Sequence, residues 1–150
     1  SKKSAYDTAA GTSGTTKSGL CFSIINFNST VGIINMSERF IKNINDLNFQ
    51  PFDNYGEPVK GMSWHKISYD KSNGGFGTYI LKMDAGAKSL PHIHQGYEEF
   101  YVIDGELEDA DGKIFKKGDF VTFKPGSEHN SHSKNGCLLI VFMRGINKPI

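Results

Sequence analysis

At 150 residues the chain is about one domain long, at roughly 100–200 residues per domain, and 17 Lys and Arg against 16 Asp and Glu leave a net charge of +1, without the basic excess a nucleic-acid partner demands. No apolar run approaches the roughly 18 residues of a membrane span and no secretory leader opens the chain, so no membrane partner is expected. Two cysteines, Cys21 and Cys137, are too few for a disulfide framework and point to a cytoplasmic protein.

Residues 1–20 are dominated by Ser, Thr, Gly, Lys and Ala without a hydrophobic period, and read as a flexible tail or leader. Residues 21–59 form an N-terminal extension. Within it, the apolar, β-branched run 21–35 suits a strand, and Met36 resembles a start of translation. Ser37 is placed to cap a short helix over Glu38–Ile44 that would turn Phe40 and Ile44 inward. Phe49–Tyr55 contains Pro51 and is extended. From residue 60 to 145 the pattern is strand, turn, strand. Strands are predicted at Met62–Tyr69 and Phe76–Met83 around the turn Lys71–Gly75, then at Pro91–Ile93 and at Glu98–Ile103, the last ended by Asp104-Gly105. Gly105–Asp109 and Lys113–Phe115 flank Asp111-Gly112, a short-hairpin signal. Asp119–Phe123, Glu128–Ser131 and Leu138–Met143 complete the set, and 146–150 is a C-terminal tail. Many short strands with Gly-rich turns predict an all-β sandwich or barrel.

One cluster carries chemistry. His92 and His94 stand at i and i+2, which on a strand sends both imidazoles to the same face. Glu98 has the same parity if Gln95-Gly96-Tyr97 preserves the pleat. His129 arrives from a distant strand. Imidazoles plus a carboxylate, with no thiolate in ligand spacing, suit Fe, Mn, Ni, Co or Zn rather than Ca or Mg.

Gly86, His92, His94, Glu98 and Gly105 stand at the spacing of the first cupin motif. Gly118-Asp119 with Pro125-Gly126-Ser127-Glu128-His129 resembles the second motif in a shortened form. The stretch 60–145 thus resembles the cupin superfamily, and within it the subgroup of ChrR-type anti-sigma factors and acetylacetone-cleaving dioxygenases. The resemblance implies a double-stranded β-helix, the cupin jelly-roll barrel, preceded by an extended N-terminal segment. It implies one divalent metal (Fe, Zn, Mn or Ni) held by His92, His94, Glu98 and His129; a homodimer is expected, with the extended N-terminal segments packing across the partner's sheet. The acetylacetone-cleaving enzymes bind iron through three histidines, so Glu98 moves this chain toward a four-ligand pattern. The anti-sigma proteins add a zinc-binding helical domain, whereas residues 1–59 hold no histidine and only Cys21; an anti-sigma role is not expected.

The remaining candidates read more simply. His132 has the wrong parity for ligation, His65 is structural, Glu99 and Glu128 are solvated, and Cys137 is a small core residue. Glu106, Glu108, Asp109, Asp111 and Asp119 interleave with lysines as a mixed solvated surface. Phe100, Val102, Phe120, Phe123, Leu139 and Phe142 are expected to fill the barrel, with Phe100, Val102 and Tyr79 on the pocket wall. The expected function is metal-dependent chemistry on a small oxygen-chelating molecule such as a diketone or hydroxy-ketone, dioxygenase-like, with an apolar or aromatic body in the Phe-rich barrel. The alternative is a non-catalytic metal-binding cupin that serves as a ligand sensor or regulatory module.

Overall fold

A computed structural model describes residues 39–150 and two short strands that precede them. Those strands, β1 (Asn26–Phe27) and β2 (Thr30–Val31), form an antiparallel ribbon within the run expected to be one strand. The tail 1–20, Met36 and Ser37 lie outside the described residues. The helix expected over Glu38–Ile44 does not form in its described part. Instead a single 3-10 turn, Ile44–Asp46, starts at Asn43, whose side chain accepts from the Asn45 amide at 2.9 Å. Asn and Asp side chains compete for nearby backbone groups and favour caps and turns over helix interiors, and Phe40 stays exposed.

Twelve strands follow in the unit Lys42–Ile150. They are β3 (Gln50–Pro51), β4 (Met62–Lys66), β5 (Phe76–Met83), β6 (Ala87–Lys88), β7 (His92–His94), β8 (Tyr97–Asp109), β9 (Ile114–Lys116), β10 (Phe120–Phe123), β11 (Glu128–His129), β12 (Ser131–Ser133), β13 (Cys137–Arg144) and β14 (Asn147–Pro149). The larger sheet runs β3-β4-β5-β13-β8-β12-β6, with β9 and β10 also paired to the long β8; the smaller runs β11-β7-β14. Residues of both sheets line one cavity, so the inner faces enclose a common interior. This is the all-β architecture expected. Among the described residues no helix is long and apolar enough to cross a membrane.

Period-two alternation builds the core. On β13, Cys137, Leu139, Val141 and Met143 are buried while the residues between them are half-buried. They meet Tyr79, Leu81 and Met83 of β5, Met62 and Trp64 of β4, and Phe100, Val102 and Leu107 of β8. The core also draws on the extension: Phe52 is buried, with its ring edge-on to Trp64 at 4.7 Å. Phe120 and Phe142 do not fill the barrel. They stack on each other at 6.2 Å on the outer face, and Phe120 is 59 % exposed. Their strands put the opposite parity inward, Val121 and Phe123 on β10 and the odd residues on β13.

Two backbone features position the site. Asp104-Gly105 does not end a strand; β8 runs through it to Asp109. Opposite, Leu139 pairs with Val102 but Leu138 with Asp104, so Ile103 is an extra residue in the ladder. Gly105 takes φ +76°, and a Cβ there would lie 2.2 Å from the Gly136 carbonyl oxygen. Such a bulge kinks a strand and re-aims its side chains. Before it Glu98, Phe100 and Val102 face inward; after it Leu107 and Asp109 do.

The second feature is a corner. β7 passes into β8 at Gly96, and β13 into β14 at Gly145, so two strands leave the large sheet for the small one side by side. A Cβ on Gly96 would lie 1.9 Å from the Arg144 carbonyl oxygen, and one on Gly145 would lie 2.6 Å from the Gly96 nitrogen. Only two glycines allow this approach. Residues 146–150, expected as a tail, therefore carry β14, which pairs Asn147 with His94 and Pro149 with His92.

Candidate metal centre

The strands bring His92, His94, Glu98 and His129 together. One ligand-capable atom from each lies within 4.8 Å of all the others. His92 and His94 project from the inner face of β7, and β11 sets His129 directly across from His92. Glu98 joins from β8, past the Gly96 corner. His92, His94 and Glu98 are 5 %, 1 % and 7 % exposed, and the His129 side chain 6 %. Four ionisable side chains in so small a buried volume are costly unless paired with one another or with an ion.

Hydrogen bonds fix the imidazoles. The Nδ1 of His92 lies 2.8 Å from the Leu90 carbonyl oxygen, that of His94 3.0 Å from the Ser127 carbonyl oxygen, and that of His129 3.0 Å from a carboxylate oxygen of Asp109. Those oxygens can only accept, so each Nδ1 carries the ring proton and each Nε2 presents a lone pair to the interior. The consequence is electrostatically unfavourable without a cation. His92 and His129 bring their Nε2 atoms to 3.1 Å, where two lone pairs repel. Among the described residues His94 Nε2 is buried with no hydrogen-bond partner, and its nearest acid, Glu98, is at 3.6 Å. Donors each about 2.0–2.2 Å from one ion lie roughly 3–4.4 Å from each other, and both separations fall in that range. The residues present fit a divalent cation, and the four could hold one.

Burial depresses the pKa of both His92 and His129, only partly opposed by the charge of Glu98. Burial alone would push the Glu98 carboxyl up. Its polar contact with His94, the charges of His94 and His92, and the Asn147 amide outweigh that, and the carboxyl is held below its usual value. His92 and His129 are therefore biased toward the neutral imidazole and Glu98 toward the ionised carboxylate, the forms that bind metals. Phe123 stacks on His94 at 5.0 Å and packs against His129 at 4.0 Å between centroids, which restrains both rings.

A cavity of about 40 Å³ adjoins the cluster. Tyr55, Ser89, Ser131 and Asn147 border it at the polar end, and Tyr79, Phe100, Leu139 and Val141 are among its apolar walls. Of the residues expected on the pocket wall, Tyr79 and Phe100 border this cavity, whereas Val102 is fully buried in the core and does not. The volume is below the roughly 150 Å³ of a closed cavity that holds benzene.

Three groups at the centre escaped the sequence reading. Asp109, read as solvated, has a side chain only 10 % exposed and holds His129. Asn147, read as tail, donates from its amide to Glu98. Tyr55 of the extension packs its ring 5.8 Å from that of His92. A break in the strand-face alternation after residue 102 is the signal that would have found Asp109. His132 and His65 stand apart from the cluster: His132 pairs with Glu108 and Lys88, and His65 bonds the Asn48 carbonyl at 2.9 Å. Glu99 accepts from Arg144 at 2.8 Å, Glu128 is exposed, and Cys137 is a buried free thiol.

The same architecture recurs in solved structures. A protein with a cupin-like fold from Ralstonia eutropha superposes with a TM-score of 0.62 at 18 % identity, over 75 % of this chain and 77 % of its own. An acetylacetone dioxygenase from Acinetobacter johnsonii gives 0.58 at 20 % identity, over 73 % and 76 %. The anti-sigma factor ChrR of Rhodobacter sphaeroides, solved in complex with SigE, gives 0.52 at 18 % identity, over 66 % of this chain and about half (49 %) of that one. At such identities the likeness is one of fold. No curated protein matches the sequence. The family described as the ChrR cupin-like domain does match, across residues 37–147, a span that takes in both sheets and all four converging side chains, and the chain belongs to that family.

Proposed function

We propose that the protein holds one divalent metal (Fe, Zn, Mn or Ni) through His92, His94, Glu98 and His129 and acts there on a small oxygen-chelating molecule of the diketone or hydroxy-ketone kind. The observation that carries this reading is the buried, partnerless His94 Nε2, beside two more Nε2 lone pairs 3.1 Å apart. A bound metal would polarise a chelated oxygen as a Lewis acid or, if iron, support O₂ chemistry. The chain's own residues do the rest. The backbone carbonyls and Asp109 hold the imidazoles in one tautomer, Asn147 holds Glu98, and the apolar walls keep bulk water out. Two cysteines in 150 residues support a cytoplasmic setting. The outer face supports a homodimer: Ile140, Tyr101 and Phe120 lie in one cross-strand row, with Phe142 stacked on Phe120.

A second reading, a non-catalytic ligand sensor or regulatory module, is favoured by Glu98, since a fourth protein ligand leaves fewer positions for substrate. Metal analysis of protein purified without added metal, followed by oxygen uptake with β-diketones, separates the two. Iron with uptake supports the enzyme; zinc without uptake supports the sensor. His92→Ala and His129→Ala lose the metal, while His132→Ala retains it. Equal metal content in all three refutes the ligand set.

A further inference from the structure

We infer that Asp109 is a positioning residue of the metal centre, whose carboxylate fixes the tautomer and ring orientation of His129 and places a negative charge behind that one imidazole. The inference rests on the metal reading above and goes beyond it by assigning a part to a residue outside the ligand set. Asp109 Oδ1 lies 3.0 Å from His129 Nδ1, with the two side chains 10 % and 6 % exposed. The other two histidines are backed only by neutral groups, the Leu90 carbonyl and the Ser127 carbonyl and hydroxyl. The three imidazoles are therefore not equivalent. Among the described residues, His129 alone of the three has a carboxylate on its Nδ1, and a carboxylate behind a ligating imidazole raises its basicity toward a cation.

The placement of Asp109 is built into the backbone. It closes β8 beside the hairpin: its amide donates to the Lys113 carbonyl at 2.8 Å, and its Oδ1 also accepts from the Ala110 amide at 3.0 Å. The pairing of Ser131 with Asp109 brings β12, and His129 just before it, alongside. Without the extra residue at Ile103, Asp109 would face away from Glu98, and the carboxylate would point outward to solvent.

The test uses the full chain with ¹⁵N-labelled histidine and three variants. In the metal-free wild type, His129 shows the single Nδ1–H tautomer in its ring ¹⁵N shifts. Asp109→Ala releases it to a tautomer mixture and weakens Zn²⁺ binding, read by competition with a chromophoric chelator, about ten- to a hundredfold. Asp109→Asn keeps an acceptor but no charge and falls between. Asp111→Ala, on the same hairpin, leaves both readouts unchanged. Wild-type Zn²⁺ affinity in both Asp109 variants, or an unchanged His129 tautomer in Asp109→Ala, overturns the inference. Should Asp109→Ala not fold, Asp109→Asn decides it by the same two readouts. Failure of the wild type to bind any of the four metals would instead sink the metal reading, and the tautomer of the metal-free protein would still decide the role of Asp109.

Discussion

Truncating His94 separates a centre built for a cation from a merely polar core. In the wild type, free metal at a thousand times its dissociation constant adds about 4 kcal/mol of stability. For a unit of roughly 110 residues, an unfolding entropy near 2.1 cal/mol/K per residue amounts to about 0.23 kcal/mol/K, so the melting temperature rises by about 18 °C. His94→Ala removes the buried nitrogen that has no hydrogen-bond partner among the described residues, and this shift collapses. In chelator the same variant loses the stacking on Phe123 and the contacts to Ser127, but it also sheds an unsatisfied buried nitrogen that costs about 1–3 kcal/mol. The metal-free difference is therefore small, about 1–2 kcal/mol after this offset, or roughly 4–9 °C. Scanning fluorimetry of both proteins, with chelator and with Fe²⁺, Zn²⁺, Mn²⁺ and Ni²⁺ in turn, gives the melting temperatures needed. A full metal-induced shift in His94→Ala, or none in the wild type with any of the four ions, refutes the reasoning.

Gly96→Ala places a methyl 1.9 Å from the Arg144 carbonyl oxygen; it should cost at least about 3 kcal/mol and show as insolubility or a large fall in urea midpoint, whereas Gly126→Ala, with open space around its Cβ, costs little beyond its positive φ. Acid should destabilise the metal-free protein. His92 and His129 sit below 6.5 when folded, so the unfolded chain binds more protons as pH falls below that value and stability drops by up to about 1.4 kcal/mol per histidine per pH unit; the Glu98 contribution, present above 4.5, is lost as pH falls through its lowered folded value. Urea midpoints in chelator between pH 8 and pH 4 check this, and a midpoint that rises on acidification contradicts it. Phe120→Glu with Phe142→Glu should convert a dimer to a monomer by sedimentation while leaving Zn²⁺ affinity unchanged; a wild type that sediments as a monomer removes the homodimer.

Much of the centre was legible because strand parity is a local property. His92 and His94 needed only a three-residue strand to share a face, and Glu98 needed only that the link at Gly96 conserve the alternation, which it does while changing sheets. The same rule failed for Asp109, since a single inserted residue inverts the count and Asp104-Gly105 looks like a stop rather than a bulge. Asn147 and Tyr55 were hidden for another reason. Each lies in a polar or Pro-containing stretch whose structure is imposed by distant partners, β7 for one and the packing of Phe52 on Trp64 for the other, and no short-range pattern announces it. Phe120 and Phe142 were misassigned because hydrophobicity alone does not say which face of a strand is inside. The helix over Glu38–Ile44 does not form in its described part because Asn43 bonds the nearby backbone and draws the chain into a turn.

The meeting of Gly96 with Gly145 has a mechanical meaning. The three imidazoles hang from the small sheet and the carboxylate from the large one, and the two strands that join those sheets touch main chain to main chain where they cross. The bite of the donor set is thus dictated by peptide planes pressed together, with no slack for a side chain to absorb. The spacing of His92 and His94 from Glu98 is thereby set by main chain rather than by side-chain packing.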